Sequence, residues 1–255
     1  MGNAIGSNIA NIGLVLGATA LIRPLRVDSR IIRRELPLMF AAMFLVLALI
    51  RDERLSRPDG LILALAMTAV IVWLLRLSRG TPEADLLVSE IERELPVGMS
   101  TARALVWLVL GLALMLGGSH VLVRGAVGIA TALGVSDLVI GLTIVAVGTS
   151  LPELAASVMS ALKGEAEMAI GNIIGSNIFN SLAVLALPGL IRPATLDPAV
   201  LGRDFPIMLL FSLVLLLGAR GFRGRPGRLC RSDGSLLLTG FIAYQLFLYY
   251  DAGSL

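Results

Sequence analysis

The chain reads as an all-α polytopic membrane protein built on an inverted repeat, and three observations predict this. Of its 255 residues 56% are hydrophobic and 15% charged, with a mean hydropathy of +0.88, more apolar than a water-soluble domain of this length requires. The apolar residues fall in continuous runs of roughly 20, the length of a membrane-crossing helix, and lack the period-two alternation of a β-barrel. Finally, residues 2–24 (GNAIGSNIANIGLVLGATALIRP) return at 171–193 (GNIIGSNIFNSLAVLALPGLIRP), identical at 14 of 23 positions at a constant offset of 169.

Taken in order, the runs fall near 3–22, 36–50, 59–76, 103–123, 138–162, 167–191, 205–219 and 235–250. The 36–50 run is short and is expected to extend into its charged flanks. Trp73, Trp107 and the group Tyr244, Tyr249 and Tyr250 lie near run ends, where interfacial aromatics anchor helices. The polar segment 77–102 carries Glu83, Asp85, Glu90, Glu92 and Glu94; their spacing matches no EF-hand, and a solvated cytoplasmic linker is expected. His120 and Arg124, placed near the outer end of the fourth run, read as snorkelling or packing residues, and Asp137 at the mouth of the fifth as interfacial. Cys230 stands alone and permits no internal disulfide.

Of the 21 basic residues, 15 sit in the loops after the odd-numbered runs and five in those after the even-numbered ones. The positive-inside rule therefore puts the loops near 23–35, 77–102, 163–166 and 220–234 in the cytoplasm and both ends of this chain outside. The formal charge of +3 comes from these short loops and is not a nucleic-acid signature. Five crossings separate the two repeat copies, so they run in opposite directions, as in many secondary transporters. At the same offset, the counterparts of the fourth and fifth runs would precede residue 1. The expected design is ten helices in two halves of five, about eight of them in this chain, which reads as N-terminally truncated.

The chemistry concentrates in 141–181, GLTIVAVGTSLPELAASVMSALKGEAEMAIGNIIGSNIFNS. Glu153 is a carboxylate inside a long apolar segment, and an ionisable group at that depth marks an ion or substrate path. Thr149, Ser150 and Glu153 share a helix face that Ser157 continues. Pro152 lacks an amide hydrogen and crowds the carbonyl of Gly148, which frees backbone oxygens around Ala146–Thr149. Carboxylate, hydroxyl and carbonyl together suit hard cations such as Na⁺ or Ca²⁺. Asn172, Ser176 and Asn180 lie four apart on one face of the sixth run, with Asn177 and Ser181 beside them. Asn3, Ser7 and Asn11 repeat the pattern in the first run, and Gly171, Gly175, Gly2 and Gly6 allow close helix approach.

At these residues the sequence resembles the cation/calcium antiporter superfamily, the sodium/calcium exchangers, especially its bacterial inner-membrane members. GTSLPEL at 148–154 with GNIIGSNIFN at 171–180 is similar to the family's second α-repeat, and GNAIGSNIAN at 2–11 to the latter half of the first. The resemblance implies the inverted-repeat exchanger fold of ten helices, with a core around the cation sites and two long helices rocking across it. It divides the chain into a truncated first repeat (1–76, last three of five helices), a cytoplasmic linker (77–102) and a complete second repeat (103–255). It implies cation ligands at Glu153, Thr149, Ser150, Ala146, Ser176, Asn180, Asn11 and Ser7. Some prokaryotic members carry aspartate where Asn180 stands. Cation/proton members place glutamate where Gly6 and Gly175 sit, which weighs against proton coupling.

The expected function is thus secondary antiport, Na⁺ against Ca²⁺ by alternating access at a mid-membrane site. The partners are Ca²⁺, Na⁺ and the lipid bilayer; the ions are cargo, and no cofactor or nucleic acid is called for. Exchange of Ca²⁺ for H⁺, or a remnant that assembles without transporting, are the competing readings. No phosphate-binding loop, nucleophile with its base, or metal-enzyme ligand set is present to suggest an enzyme.

Overall fold

The structure, a computed structural model, describes residues 2–78, 100–135, 137–220 and 227–253, so most of the acidic 77–102 segment and its linker role lie outside the described residues. Helices occupy every expected run: α1 (Gly2–Ile22), α2 (31–49), α3 (Arg57–Ser78), α4 (Thr101–Ala132), α5 (137–163), α6 (Ala166–Ile191), α7 (Val200–Arg220) and α8 (Arg231–Gly253). Of these, α1, α3, α4, α6 and α7 are long and apolar enough to cross a membrane, and α5 joins them as a bent pair. The remaining two are more polar, α2 through Arg33, Arg34 and Glu35 in its first turns, α8 through Gln245 and its tyrosines.

The repeat extends well beyond its sequence signature. Two-residue strands β1 (Leu25–Arg26) and β3 (Ala194–Thr195) are 169 residues apart, and so are the π-helical turns that open α2 (Ile31–Glu35) and α7 (Val200–Asp204). A second pair of π turns begins at the equivalent Asn11 and Asn180. Each short strand pairs antiparallel with one from the other repeat, β1 with β4 (Arg228–Leu229) and β2 (Arg54–Leu55) with β3. The two halves are therefore stitched at both ends of the bundle.

The closing helix of each half begins the same way and lands on the other half's signature helix. In α3 the Asp59 carboxylate accepts from the Ser56 amide at 2.8 Å and from the Ser56 hydroxyl, a local cap for the unpaired donors of the first turn. In α8 Asp233 accepts from the Cys230 amide at 2.7 Å. Glycine follows each aspartate because the backbones touch: a methyl on Gly60 would lie 2.7 Å from the Leu190 amide and 2.9 Å from Ala186 O, and one on Gly234 2.7 Å from Gly17 O.

Two expectations need amending. α4 continues to Ala132, so His120 and Arg124 lie along the helix, exposed, and not near its end. Tyr244 is not an interfacial anchor: it is 4% exposed, whereas Tyr249 is 69% exposed. Its hydroxyl donates to the fully buried Asp204 at 2.9 Å, which Arg203 also meets at 2.7 Å while reaching Asp251. A buried carboxylate requires such partners, and Tyr244 is one of them. The 36–50 run does extend into its flank, beginning at Ile31. The side chain of Asp137 lies outside the described residues.

Because small-residue crossings hold α3 onto α6, Gly60→Ala or Gly189→Ala should destabilise the protein by about 1–3 kcal/mol through overpacking. Gly175→Ala, with nothing within 4 Å of the added methyl, should be nearly neutral. Thermal unfolding in detergent checks the contrast.

Candidate functional site

The site begins with a break. α5 runs helical through Thr149, stops at Ser150 and resumes at Leu151, with a 45° bend between the two parts. Pro152 causes it: as the second residue of the new helix it is tolerated where amide donors are already unpaired, and it leaves Gly148 O without its usual helical donor. Immediately after the break, Glu153 sits in the first turn of the second part. The far end of α5 is held by the residue that follows α1: Arg23 donates to Ala161 O at 3.0 Å and Leu162 O at 2.7 Å.

α6 packs along this second part and turns its polar face toward the carboxylate. Glu153, Asn172, Gly175, Ser176, Phe179 and Asn180 line a cavity of about 280 Å³. Ser176 Oγ approaches Glu153 Oε1 at 3.5 Å, too long to satisfy a carboxylate. Glu153 Oε2 is buried and has no hydrogen-bond partner among the described residues, and the same is true of Ser150 Oγ. Asn172 is oriented by donating to Ser157 Oγ at 3.2 Å, whose hydroxyl lies 3.5 Å from Ala169 O. The cavity therefore offers oxygen donors around an unsatisfied anion, the chemistry of a hard-cation site.

A second cluster lies where α1 meets the first part of α5. Ser7 Oγ and Thr149 Oγ1 are 2.9 Å apart, and each comes within hydrogen-bonding reach of Asn3 Oδ1, at 3.3 and 3.4 Å. Thr149 Oγ1 is also 2.9 Å from Val145 O and 3.1 Å from Ala146 O. Of the eight residues singled out from sequence, Glu153, Ser176 and Asn180 thus share one cavity, and Ser7, Thr149 and the Ala146 carbonyl share one hydrogen-bonded cluster. Ser150 joins the two along the chain. Asn11 stands apart, donating to Asn177 Oδ1 at 3.1 Å in the buried α1–α6 contact.

Asn8 escaped the sequence reading. It is buried, donates to Ser181 Oγ at 3.0 Å and approaches Met208 Sδ at 3.6 Å; its repeat counterpart Asn177 approaches Met39, the counterpart of Met208, at 3.9 Å. The offset of 169 was the signal available, since Asn8 aligns with Asn177. The repeats also differ in how their signature glycines are covered. Gly6 is covered by α5, with Ala146 Cβ 2.8 Å and Leu142 Cα 2.9 Å from where a methyl would stand, whereas its counterpart Gly175 is open. On that open face a further cavity of about 450 Å³ is lined by Arg34, Glu35, Trp73 and Ile178 among others.

The Ser7–Thr149 contact should appear as a coupling. In a double-mutant cycle with Ser7→Ala and Thr149→Val, unfolding free energies should deviate from additivity by about 0.5–1.5 kcal/mol. Strict additivity would show the two hydroxyls are not paired.

Comparison with known proteins agrees with this architecture. The family model described as "Sodium/calcium exchanger protein" matches residues 1–76 and 103–250. The chain is 48% identical over 249 residues to the putative antiporter CaxA of Alkalimonas amylolytica, covering 98% of this chain and 78% of that one. It is 40% identical over 252 residues to the inner membrane protein YrbG of Escherichia coli K12 (98% and 77% covered), and 30% identical over 288 residues to the sodium/calcium exchanger MaX1 of Methanosarcina acetivorans (98% and 80%). Among solved structures, the sodium–calcium exchanger NCX_Mj soaked with 100 mM Na⁺ and 10 mM Sr²⁺ superposes with a TM-score of 0.72 at 34% identity, over 95% of this chain and 74% of that one. With the inverted repeat, the broken α5 and the paired signature helices in place, this chain belongs to the sodium/calcium exchanger family.

Proposed function

We propose that this protein is a secondary active antiporter of the inner membrane that exchanges Na⁺ for Ca²⁺ by alternating access. The observation that carries the reading is Glu153: a carboxylate in the middle of a membrane-length helix pair, with one oxygen buried and unpartnered, facing a cavity of amide and hydroxyl oxygens. An unpaired charge at that depth is costly, and a bound cation removes the cost. Oxygen ligands with conformational latitude suit both Ca²⁺ and Na⁺, so the same residues can hold either cargo in turn.

In this reading Glu153, Ser176 and Asn180 with Ser150, Thr149, the Ala146 carbonyl, Ser7 and Asn11 make the path's ligands. Residues 1–76 and 103–255 act as the two repeats joined by a cytoplasmic linker over 77–102, and the arginine-rich loops face the cytoplasm. The relatives named for calcium or sodium exchange support the choice of cargo, and the inner-membrane relative supports the location. Glu153 being, among the described residues, the single carboxylate lining its cavity favours a second reading, in which this chain binds cation but supplies transport only within a larger assembly.

In vesicles carrying the protein, an imposed Na⁺ gradient should drive uptake of radiolabelled Ca²⁺, and Glu153→Gln should reduce it by about ten-fold or more. Uptake retained in that variant contradicts the site. Uptake that follows a pH gradient without Na⁺ indicates proton exchange, and Ca²⁺-protected stability without uptake indicates the assembly partner.

A further inference from the structure

α4 is 32 residues long, yet it meets the rest of the molecule along one narrow stripe. Only Met115, Ser119, Val123, Ala126, Val127 and Ala130 are even partly shielded; the other positions of the helix are exposed. Five of these six are apolar, and apolar contact in a lipid environment has little power to fix one register over another, because lipid tails are equally apolar. The sixth is Ser119. Its hydroxyl donates to Gly148 O at 2.5 Å, and one turn further along α4 the Val123 side chain presses on Gly148 itself, in the space a methyl there would need.

Gly148 O is the carbonyl four residues before Pro152, the one whose helical donor does not exist. A carbonyl left bare at that depth costs several kcal/mol, so it has to be taken by a side chain, a water or an ion. It belongs to the residue immediately before Thr149, at the bend, a few residues from Glu153. We propose that Ser119 is a positioning residue: its hydroxyl latches α4 to the Gly148 carbonyl that Pro152 strands, so that displacement of α4 across the bend and release of that carbonyl, next to the cation path, are one event. The inference rests on the exchange reading above for its functional consequence, but the latch itself is a property of the fold.

The latched state withholds Gly148 O from any cation. A bond present in one state and absent in the other shifts the balance between them by its own free energy. Removing the hydroxyl should therefore favour the state in which the carbonyl is free, loosening α4 and tightening cation binding together. A merely structural serine would loosen α4 and weaken binding.

The test uses the full chain in nanodiscs with Cys230→Ser and spin labels at Leu112→Cys on α4 and Leu162→Cys on α5, both exposed positions. Pulsed-dipolar distances should give one narrow distribution in the parent. Ser119→Ala should broaden or shift it, Ser119→Thr should restore it, and Val123→Ala, which keeps the hydroxyl, should change it less than Ser119→Ala. In the same preparations, Ser119→Ala should lower the Ca²⁺ concentration giving half-saturation about two- to ten-fold, the worth of one hydrogen bond. An unchanged distance distribution in Ser119→Ala, equal broadening by Val123→Ala, or weakened Ca²⁺ binding overturns the proposal. A parent chain that exchanges no ions counts against the function proposed above, and the distance measurement still decides the latch.

Discussion

At membrane depth a carboxylate oxygen with no hydrogen bond is among the most expensive groups a protein can carry, and Glu153 Oε2 is in that position. The surroundings do little to relieve it. Ser176 stays at the edge of bonding range, and the nearby amide of Asn172 is turned to Ser157. Contrast Asp204, a fully buried carboxylate, which receives a tyrosine hydroxyl and a guanidinium at short range. One acid is built into the scaffold and neutralised there. The other keeps an unpartnered oxygen beside the break at Ser150, facing the cavity that the polar face of α6 lines.

The inverted repeat supplies the frame for this. Two halves related by pseudo-twofold symmetry let each signature helix be clasped by the opposite half's closing helix, through Gly60 on α6 and Gly234 on α1, and by paired strands at each end. At the centre, Ser212 and Met43, themselves related by the offset of 169, touch at 3.5 Å between Oγ and Sδ. That contact lies on the pseudo-axis. The asymmetry of the cluster around it, Asn11 on Asn177 but Asn8 on Ser181, arises because Ser181 aligns with Ile12, which cannot accept a hydrogen bond. Symmetry of backbone is thus compatible with two different sets of polar contacts.

Most of the architecture was legible because it depends on patterns that survive translation into one dimension. Run length and an exact offset are such patterns, and so is a proline four residues past a glycine next to a carboxylate. What escaped depends on the third dimension. Tyr244 reads as an interfacial aromatic until Asp204 is seen 40 residues earlier in the chain lying against it. Ser119 looks like an incidental hydroxyl in an apolar helix, and only the packing of α4 over the bend shows which carbonyl it serves. The π-helical turns that begin at Asn11 and Asn180 leave no mark in composition, and neither does the fact that Asn11 meets α6 while Asn180 lines the Glu153 cavity. α4 outran its expected end, continuing past Arg124 to Ala132, because an exposed helix tolerates a charge and glycines along its length.

The central claim is that the unsatisfied carboxylate is a cation ligand, and locating the ion tests it most directly. Crystals of this chain grown with Sr²⁺, a heavy hard cation that scatters anomalously, should show a difference peak within about 3 Å of Glu153 Oε2, bounded by Ser176 and the backbone around the α5 break, and the peak should vanish in Glu153→Gln. A peak elsewhere with none beside Glu153, or one that persists undiminished in the variant, would contradict the account.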